Sequence, residues 1–281
     1  MASVDALDPD SFTTLVVDEG GDRVVVRLHR PAVRNAIDQV MVDELHTVCA
    51  FLERVPKVLI LTGTPSDPEG GVKGVFASGA DIAQLRERGR DDALAGINST
   101  LFERIAKLPM PVIAALDGHA LGGGAELAYA ADFRLGTAAL RMGNPETNLG
   151  ILAAAGATWR LKELVGEPLA KQILLAGKVL TGSECLAAGL ISALVEPAEL
   201  MDAALSLADR IGAQDPLAVR ITKSVFHAPR EAHPVIDTLA QSMLFESEAK
   251  FERMQAFLNR KNTKPTQTTQ TSKTTTSQEQ S

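Results

Sequence analysis

Short runs of consecutive apolar residues alternate with stretches of helical periodicity along most of this chain, and that alternation constrains the fold more than any other feature. The runs in Lys57–Thr62 and Pro111–Leu116 are too short for a core helix and carry no polar face, as expected of strands buried on both sides of a sheet. Phe133–Gly136 reads as a third strand. Thr14–Val17 and Val24–His29 flank Asp18-Glu19-Gly20-Gly21-Asp22 and predict a hairpin. Ile37, Val40, Met41, Leu45, Val48 and Leu52 then recur at helical spacing up to Val55-Pro56, and further helical patterns cover Ile82–Glu87 and Ala93–Lys107. Strand, turn and helix in repetition predict an α/β core.

With 281 residues and 45% hydrophobic content the chain can bury one large core with a smaller appendage. Its net charge of −7 argues against broad nucleic-acid or anionic-membrane binding, and Arg86, Arg88 and Arg90 read as a solvated helix face. The first residues are acidic where a leader peptide needs basic ones. The longest apolar region, Val112 to Ala131, is interrupted by Asp117, His119 and Glu126 and cannot be a membrane span. Cys49 and Cys185 stand apart as two buried thiols, and the five histidines have no metal-ligand spacing, so a cytoplasmic protein without a metal is expected.

From Gly166 onward the pattern turns helical. Glu199–Ile211, Pro216–Phe226 and Val235–Leu258 carry apolar stripes, and Leu200, Ala204, Leu207 and Ile211, with Ile236, Leu239, Met243 and Leu244, are expected to meet a neighbouring subunit. Lys264–Ser281 is nearly all Thr, Ser, Gln and Lys and is expected to be disordered. The resulting division is an N-terminal extension over 1–12, an α/β core over 13–197, a helical region over 198–262 and a tail over 263–281.

Two segments carry the chemistry. Phe76-Ala77-Ser78-Gly79-Ala80-Asp81-Ile82 and Ala120-Leu121-Gly122-Gly123-Gly124-Ala125-Glu126-Leu127 are small-residue loops that each lead into a helix, and each points unpaired N–H groups at whatever precedes that helix. The backbone N–H groups of Ala80 and Gly123 are the candidate donors to a developing oxyanion. Gly122, Gly124 and Leu127 do not complete the Gly-x-Gly-x-x-Gly spacing, which excludes a dinucleotide fingerprint. Glu126 and Glu146 are candidates for acid and base, against plainer readings in which Glu126 complements a helix dipole and Glu146 follows a proline in a turn. Asp132 and His119 read as structural side chains.

Four ordered blocks then resemble the crotonase (enoyl-CoA hydratase/isomerase) superfamily from about Val16 to Lys261: Arg30–Ala36, Phe76–Ile82, Pro111–Glu126 and Gly143–Gly150. The resemblance implies a crotonase-like spiral of repeated β-β-α units with a C-terminal helical oligomerisation region, assembled as a trimer or a hexamer of two trimers. It implies reversible addition of water to a trans-2-enoyl-CoA in lipid metabolism such as β-oxidation. Glu126 would orient and deprotonate the water while Glu146 exchanges the C2 proton. It also places coenzyme A near Val33, Arg34, Ala36, Ser78, Gly79, Asp81, Ile82 and Gly122, with Lys261 reaching in from a neighbouring subunit. Coenzyme A is part of the substrate, and no separate cofactor is expected. The chain departs from the family pattern after Gly150, where Ala153-Ala154-Ala155-Gly156-Ala157-Thr158-Trp159 replaces a Pro-Gly-Ala-Gly-Gly-Thr run, and at Ala32, where many members have a basic residue. Double-bond isomerisation or another acyl-CoA lyase reaction is the alternative, and a non-catalytic acyl-CoA or RNA-binding relative a third. Retention of both glutamates favours water addition.

Overall fold

The computed structural model describes residues 6–67, 69 and 71–262, with the side chains of residues 260–262 outside that description. Among the described residues the strands are β1 Leu15–Glu19, β2 Arg23–Leu28, β3 Val58–Thr62, β4 Val75–Ala77, β5 Val112–Leu116, β6 His119–Leu121, β7 Phe133–Thr137, β8 Arg141–Gly143, β9 Leu180–Thr181 and β10 Ala193–Val195. Six form one sheet in the order β1-β2-β3-β5-β7-β10, and four form a second in the order β4-β6-β8-β9. Only the β1–β2 and β8–β9 pairs are antiparallel.

From β3 to β8 successive strands alternate between the sheets. β3, β5 and β7 enter the large sheet, β4, β6 and β8 follow into the small one, and helices return the chain after each pair. This is the expected spiral of β-β-α units. Its three sheet-to-sheet corners are tied together by the buried Asp117, whose Oδ1 accepts from Thr137 Oγ1 at 2.6 Å and whose Oδ2 accepts from the Ser66 N–H at 2.7 Å. The next residue, Gly118, has φ +65° and so little room that a Cβ would sit 1.6 Å from the Gly74 carbonyl oxygen. Only glycine fits that corner.

β3 and β5 are buried along their whole length. Leu59, Leu61, Val112 and Ala114 face the main core with Phe51, Phe76 and Phe102, while Val58, Ile60, Ile113 and Ala115 face the opposite way. The second face needs its own cover. The helix Leu200–Gly212 supplies it, burying Leu200, Ala204, Leu207 and Ile211 against those strand residues. The expectation that this stripe faces a partner subunit is therefore corrected. Strands apolar on both sides demand a helix on each face, and this one fills the demand within its own chain. The contacts divide the chain into two compact units at 228/229.

Two expected helices are broken. Ala93–Lys107 is replaced by Arg90–Ala95 and Ile97–Ala106, because Gly96 adopts φ +63° between them. Val235–Leu258 is replaced by Val235–Phe245 and Glu248–Asn262, where Ser247 Oγ accepts from the Lys250 N–H and caps a new start. In the second unit Leu239 and Met243 are exposed, and Ile236 and Leu244 are half-buried. The tail expected to be disordered lies outside the described residues. No helix among the described residues is long and apolar enough to cross a membrane.

Candidate active site

β4 and β6 are parallel neighbours, with Val75 opposite His119 and Ala77 opposite Ala120, so the loops that leave their C-terminal ends emerge side by side. The first is pinned by the loop 30–37. Ile37 donates to the Gly79 carbonyl at 2.8 Å, the Asp81 N–H to the Ile37 carbonyl at 2.9 Å and the Ser78 N–H to the Arg34 carbonyl at 3.1 Å. Asn35, fully buried with φ +54°, locks the same junction by donating Nδ2 to the carbonyls of Val75 and Phe76 at 3.0 and 3.1 Å. Between these fixed points the Ala80 N–H is left over. Among the described residues neither it nor the Gly123 N–H donates a hydrogen bond. The two lie together, since a Cβ on Gly123 would stand 3.4 Å from the Ala80 nitrogen.

The glycine run has three separate reasons. Gly122 has φ +51°, and a Cβ there would stand 3.0 Å from Glu146 Oε1. Gly124 packs the helix Gly123–Tyr129 onto β4, where a Cβ would meet the Ala77 carbonyl oxygen at 2.4 Å. Gly123 alone has ordinary room for a methyl group, and that room is the space in front of the Ala80 nitrogen.

Glu126 lies in the first turn of that helix and is buried. Its Oε1 accepts from the backbone N–H groups of Ala155 and Ala157 at 2.7 and 3.1 Å. Burial pushes its pKa up to about 7, with the Ala157 hydrogen bond opposing the rise and the charge of Glu146 adding to it. Glu146, in the short 3-10 turn Pro145–Leu149, is also buried, and burial raises its pKa against hydrogen bonds from its own N–H and from Asn144. Its Oε2 is buried and has no hydrogen-bond partner among the described residues. Both carboxyl groups resist ionisation, and the charge of Glu146 adds to the rise at Glu126, which suits the two to exchange protons as acid and base.

The residues expected near coenzyme A differ in exposure and in the contacts they make. Val33, Arg34 and Ile82 are exposed, Ala36 is buried, and Ser78 Oγ donates to the Val33 carbonyl at 3.4 Å. Gly79 takes φ +118° in the pinned loop. Asp81 uses both carboxylate oxygens inside the chain. Oδ1 caps the helix Ile82–Glu87 through the N–H groups of Ala83 and Gln84, and Oδ2 pairs with Arg30 at 3.2 Å. Arg30, which also pairs with Asp38 at 3.1 Å, ties the two loops together through Asp81. The side chain of Lys261 lies outside the described residues. Asp132 accepts from the Val112 N–H and from Lys223 Nζ, each at 2.7 Å, in agreement with a structural role.

Sequence reasoning missed Ala155 and Ala157, because a backbone donor leaves no side-chain signature. Asn35 and Asn144 likewise gave no signal as single residues. An asparagine two residues before a candidate glutamate was the available signal for Asn144.

The family model for enoyl-CoA hydratase/isomerase matches residues 21–268. A short-chain-enoyl-CoA hydratase of Clostridium acetobutylicum is 36% identical over 244 residues, covering 85% of this chain and 88% of that protein. A crotonyl-CoA hydratase of Syntrophomonas wolfei is 31% identical over 257 residues, covering 89% and 97%. The crystal structure of an enoyl-CoA hydratase from Bacillus anthracis superimposes with a TM-score of 0.81 at 28% identity, covering 88% of this chain and 97% of that one. The chain belongs to the enoyl-CoA hydratase/isomerase family.

Proposed function

We propose that this protein hydrates trans-2-enoyl-CoA thioesters reversibly to 3-hydroxyacyl-CoA. The observation that carries the reading is the placement of two buried carboxyl groups with raised pKa beside two backbone N–H groups that have no partner among the described residues. The thioester oxygen accepts from the N–H groups of Ala80 and Gly123, which stabilises the negative charge that builds there as the oxygen of water bonds to C3. Glu126, held by Ala155 and Ala157, takes the proton of that water, and Glu146 delivers a proton to C2. Atoms balance with no electron transfer, so the step needs no cofactor beyond the coenzyme A that the substrate carries. Loss of conjugated absorbance across a panel of enoyl-CoA thioesters tests the reading, with the product gaining the mass of one water. A product of unchanged mass with a migrated double bond would replace hydration by isomerisation, and binding without turnover would remove catalysis altogether.

The exposed apolar residues of the second unit support a trimer or a pair of stacked trimers, in which closed symmetry covers Leu239 and Met243. Light scattering is expected to give three or six chain masses. An active monomer at assay concentration would remove both the oligomer and any role for Lys261 at a neighbour's nucleotide.

A further inference from the structure

Behind Glu146 lies a buried chain of polar groups that the hydration chemistry just described does not use. Tyr129, on the last turn of the Gly123–Tyr129 helix, donates its hydroxyl to Asn144 Oδ1 at 3.0 Å. Asn144 Nδ2 in turn faces Glu146 Oε1 and the Gly122 carbonyl oxygen, each at 3.4 Å. Tyr129 is 3% exposed and Asn144 1%, so neither finds water as a substitute partner.

The chemistry of the neighbours fixes the amide's orientation. The Gly122 carbonyl only accepts, so the NH2 end of Asn144 must face it, which leaves Oδ1 toward the tyrosine. Burial holds the Tyr129 hydroxyl far above its ordinary range, so it stays a donor throughout the working pH. Polarity therefore runs one way, from Tyr129 through Asn144 to Glu146. The amide presents a donor to Oε1 and leaves the unpartnered Oε2 as the oxygen free to meet the substrate.

We propose that Tyr129 and Asn144 are positioning residues for Glu146: they hold its Oε1, select Oε2 as the proton-transferring oxygen and favour the charged form of the carboxyl. The proposal rests on the hydratase reading for its kinetic consequence but not for its electrostatic one. The titratable groups around the relay are Glu126 on the same helix as Tyr129, Arg134 on β7 and Cys185 on the helix Gly182–Ala187. Arg134 donates to the carbonyls of Ala128, Ala131 and Leu190. Burial pushes the Cys185 thiol up to about 12. Glu126 is thus the neighbouring carboxyl group, raised by burial as Glu146 is.

The sign follows from the donor. A hydrogen bond to the carboxylate lowers its pKa, so weakening that bond raises it. Tyr129→Phe keeps the ring and its packing but frees one end of the amide, and Asn144→Ala removes the donor. The test is the carbon-13 titration of Glu146 in full-length protein carrying labelled glutamate, with Glu146→Gln to assign the signal and Glu126→Gln as background to uncouple the pair. The Glu146 titration is expected to move to higher pH in Tyr129→Phe and further in Asn144→Ala. In the otherwise native background the alkaline limb of kcat/KM for crotonyl-CoA hydration, which reports the group that must hold a proton, is expected to move to higher pH in the same order, with KM changed less than kcat. If Asn144→Ala does not fold, Asn144→Gln replaces it, because a longer amide keeps the donor but moves it. An unshifted titration in Tyr129→Phe and in the folded Asn144 variant overturns the relay while leaving hydration intact. A shifted titration in a protein whose wild type hydrates no enoyl-CoA keeps the relay and overturns the hydratase reading.

Discussion

The two sides of the candidate site are built from different material. On one side the chemistry rests on main chain: the N–H groups of Ala80 and Gly123, and the N–H groups of Ala155 and Ala157 that hold Glu126. On the other, Glu146 is held by the side chains of Asn144 and, behind it, Tyr129. A main-chain donor survives substitution of its own side chain, and its position is set by the strands and turns that carry it. A side-chain donor can be deleted or turned round by one change. The comparison teaches where the site is rigid and where it can be tuned, and substitutions can reach the main-chain side only by adding atoms or by altering the group it holds.

The largest effect is expected at the carboxyl groups themselves. Glu146→Gln and Glu126→Gln should each lower kcat by about 10²–10⁴-fold, the range for a positioned acid or base, with substrate binding retained. The double variant should lose far less than the product of the single losses, since the pair acts as a unit. Multiplicative losses in steady-state kinetics would show that the two sides work independently.

Next in size is the pair Gly123→Ala and Gly124→Ala, which separates obstruction of the oxyanion hole from loss of packing. A methyl group on residue 123 has room in the fold but fills the space before the Ala80 nitrogen, so thermal unfolding should change little while kcat falls roughly 10–100-fold, short of the full loss of a donor. A methyl group on residue 124 collides with the Ala77 carbonyl, so stability should drop by about 1–3 kcal/mol. Full activity in the Gly123 variant would put the oxyanion hole elsewhere.

The smallest effect is on stability and depends on pH. The folded pKa of Glu126, about 7, lies above its ordinary value of 4.5, so the folded state binds the proton more tightly than the unfolded chain. Stability from this group is present below about 4.5 and falls as pH rises through about 7. Glu126→Gln keeps an acceptor for Ala155 and Ala157 but cannot ionise. It should therefore stabilise the protein by on the order of 1–3 kcal/mol at pH 8 and leave it unchanged at pH 4, by denaturant unfolding. Equal gains at both pH values would mean that Glu126 is not held above its ordinary range.

Much of the centre was legible because its requirements fall on particular residue types. Gly122 needs a positive φ, Gly124 needs the absence of a Cβ, and Glu126 and Glu146 need a carboxyl group. The strands Val58–Thr62 and Val112–Leu116 were legible because burial on both faces excludes polar side chains from every position. Strands β4, β6, β8, β9 and β10 were not, since two or three residues are too few to establish a period of two. The alanines of the stretch 153–157 looked like a departure from the family pattern, yet the N–H groups of two of them hold Glu126, a function carried by atoms that every residue except proline possesses.

The assignment of covering surfaces shows the remaining division. Sequence periodicity determined that Leu200, Ala204, Leu207 and Ile211 share one apolar helix face, because that depends only on spacing along the chain. It could not determine what the face meets. That was decided by the sheet, whose Val58, Ile60, Ile113 and Ala115 point away from the main core and leave an apolar surface that the helix buries. The same holds at the site: residue types fix which groups can act, while the parallel pairing of β4 with β6 brings residue 80 beside residue 123, some forty positions away along the chain. Spacing and composition are local properties of a sequence, and the meeting of distant surfaces exists only after the chain has closed on itself.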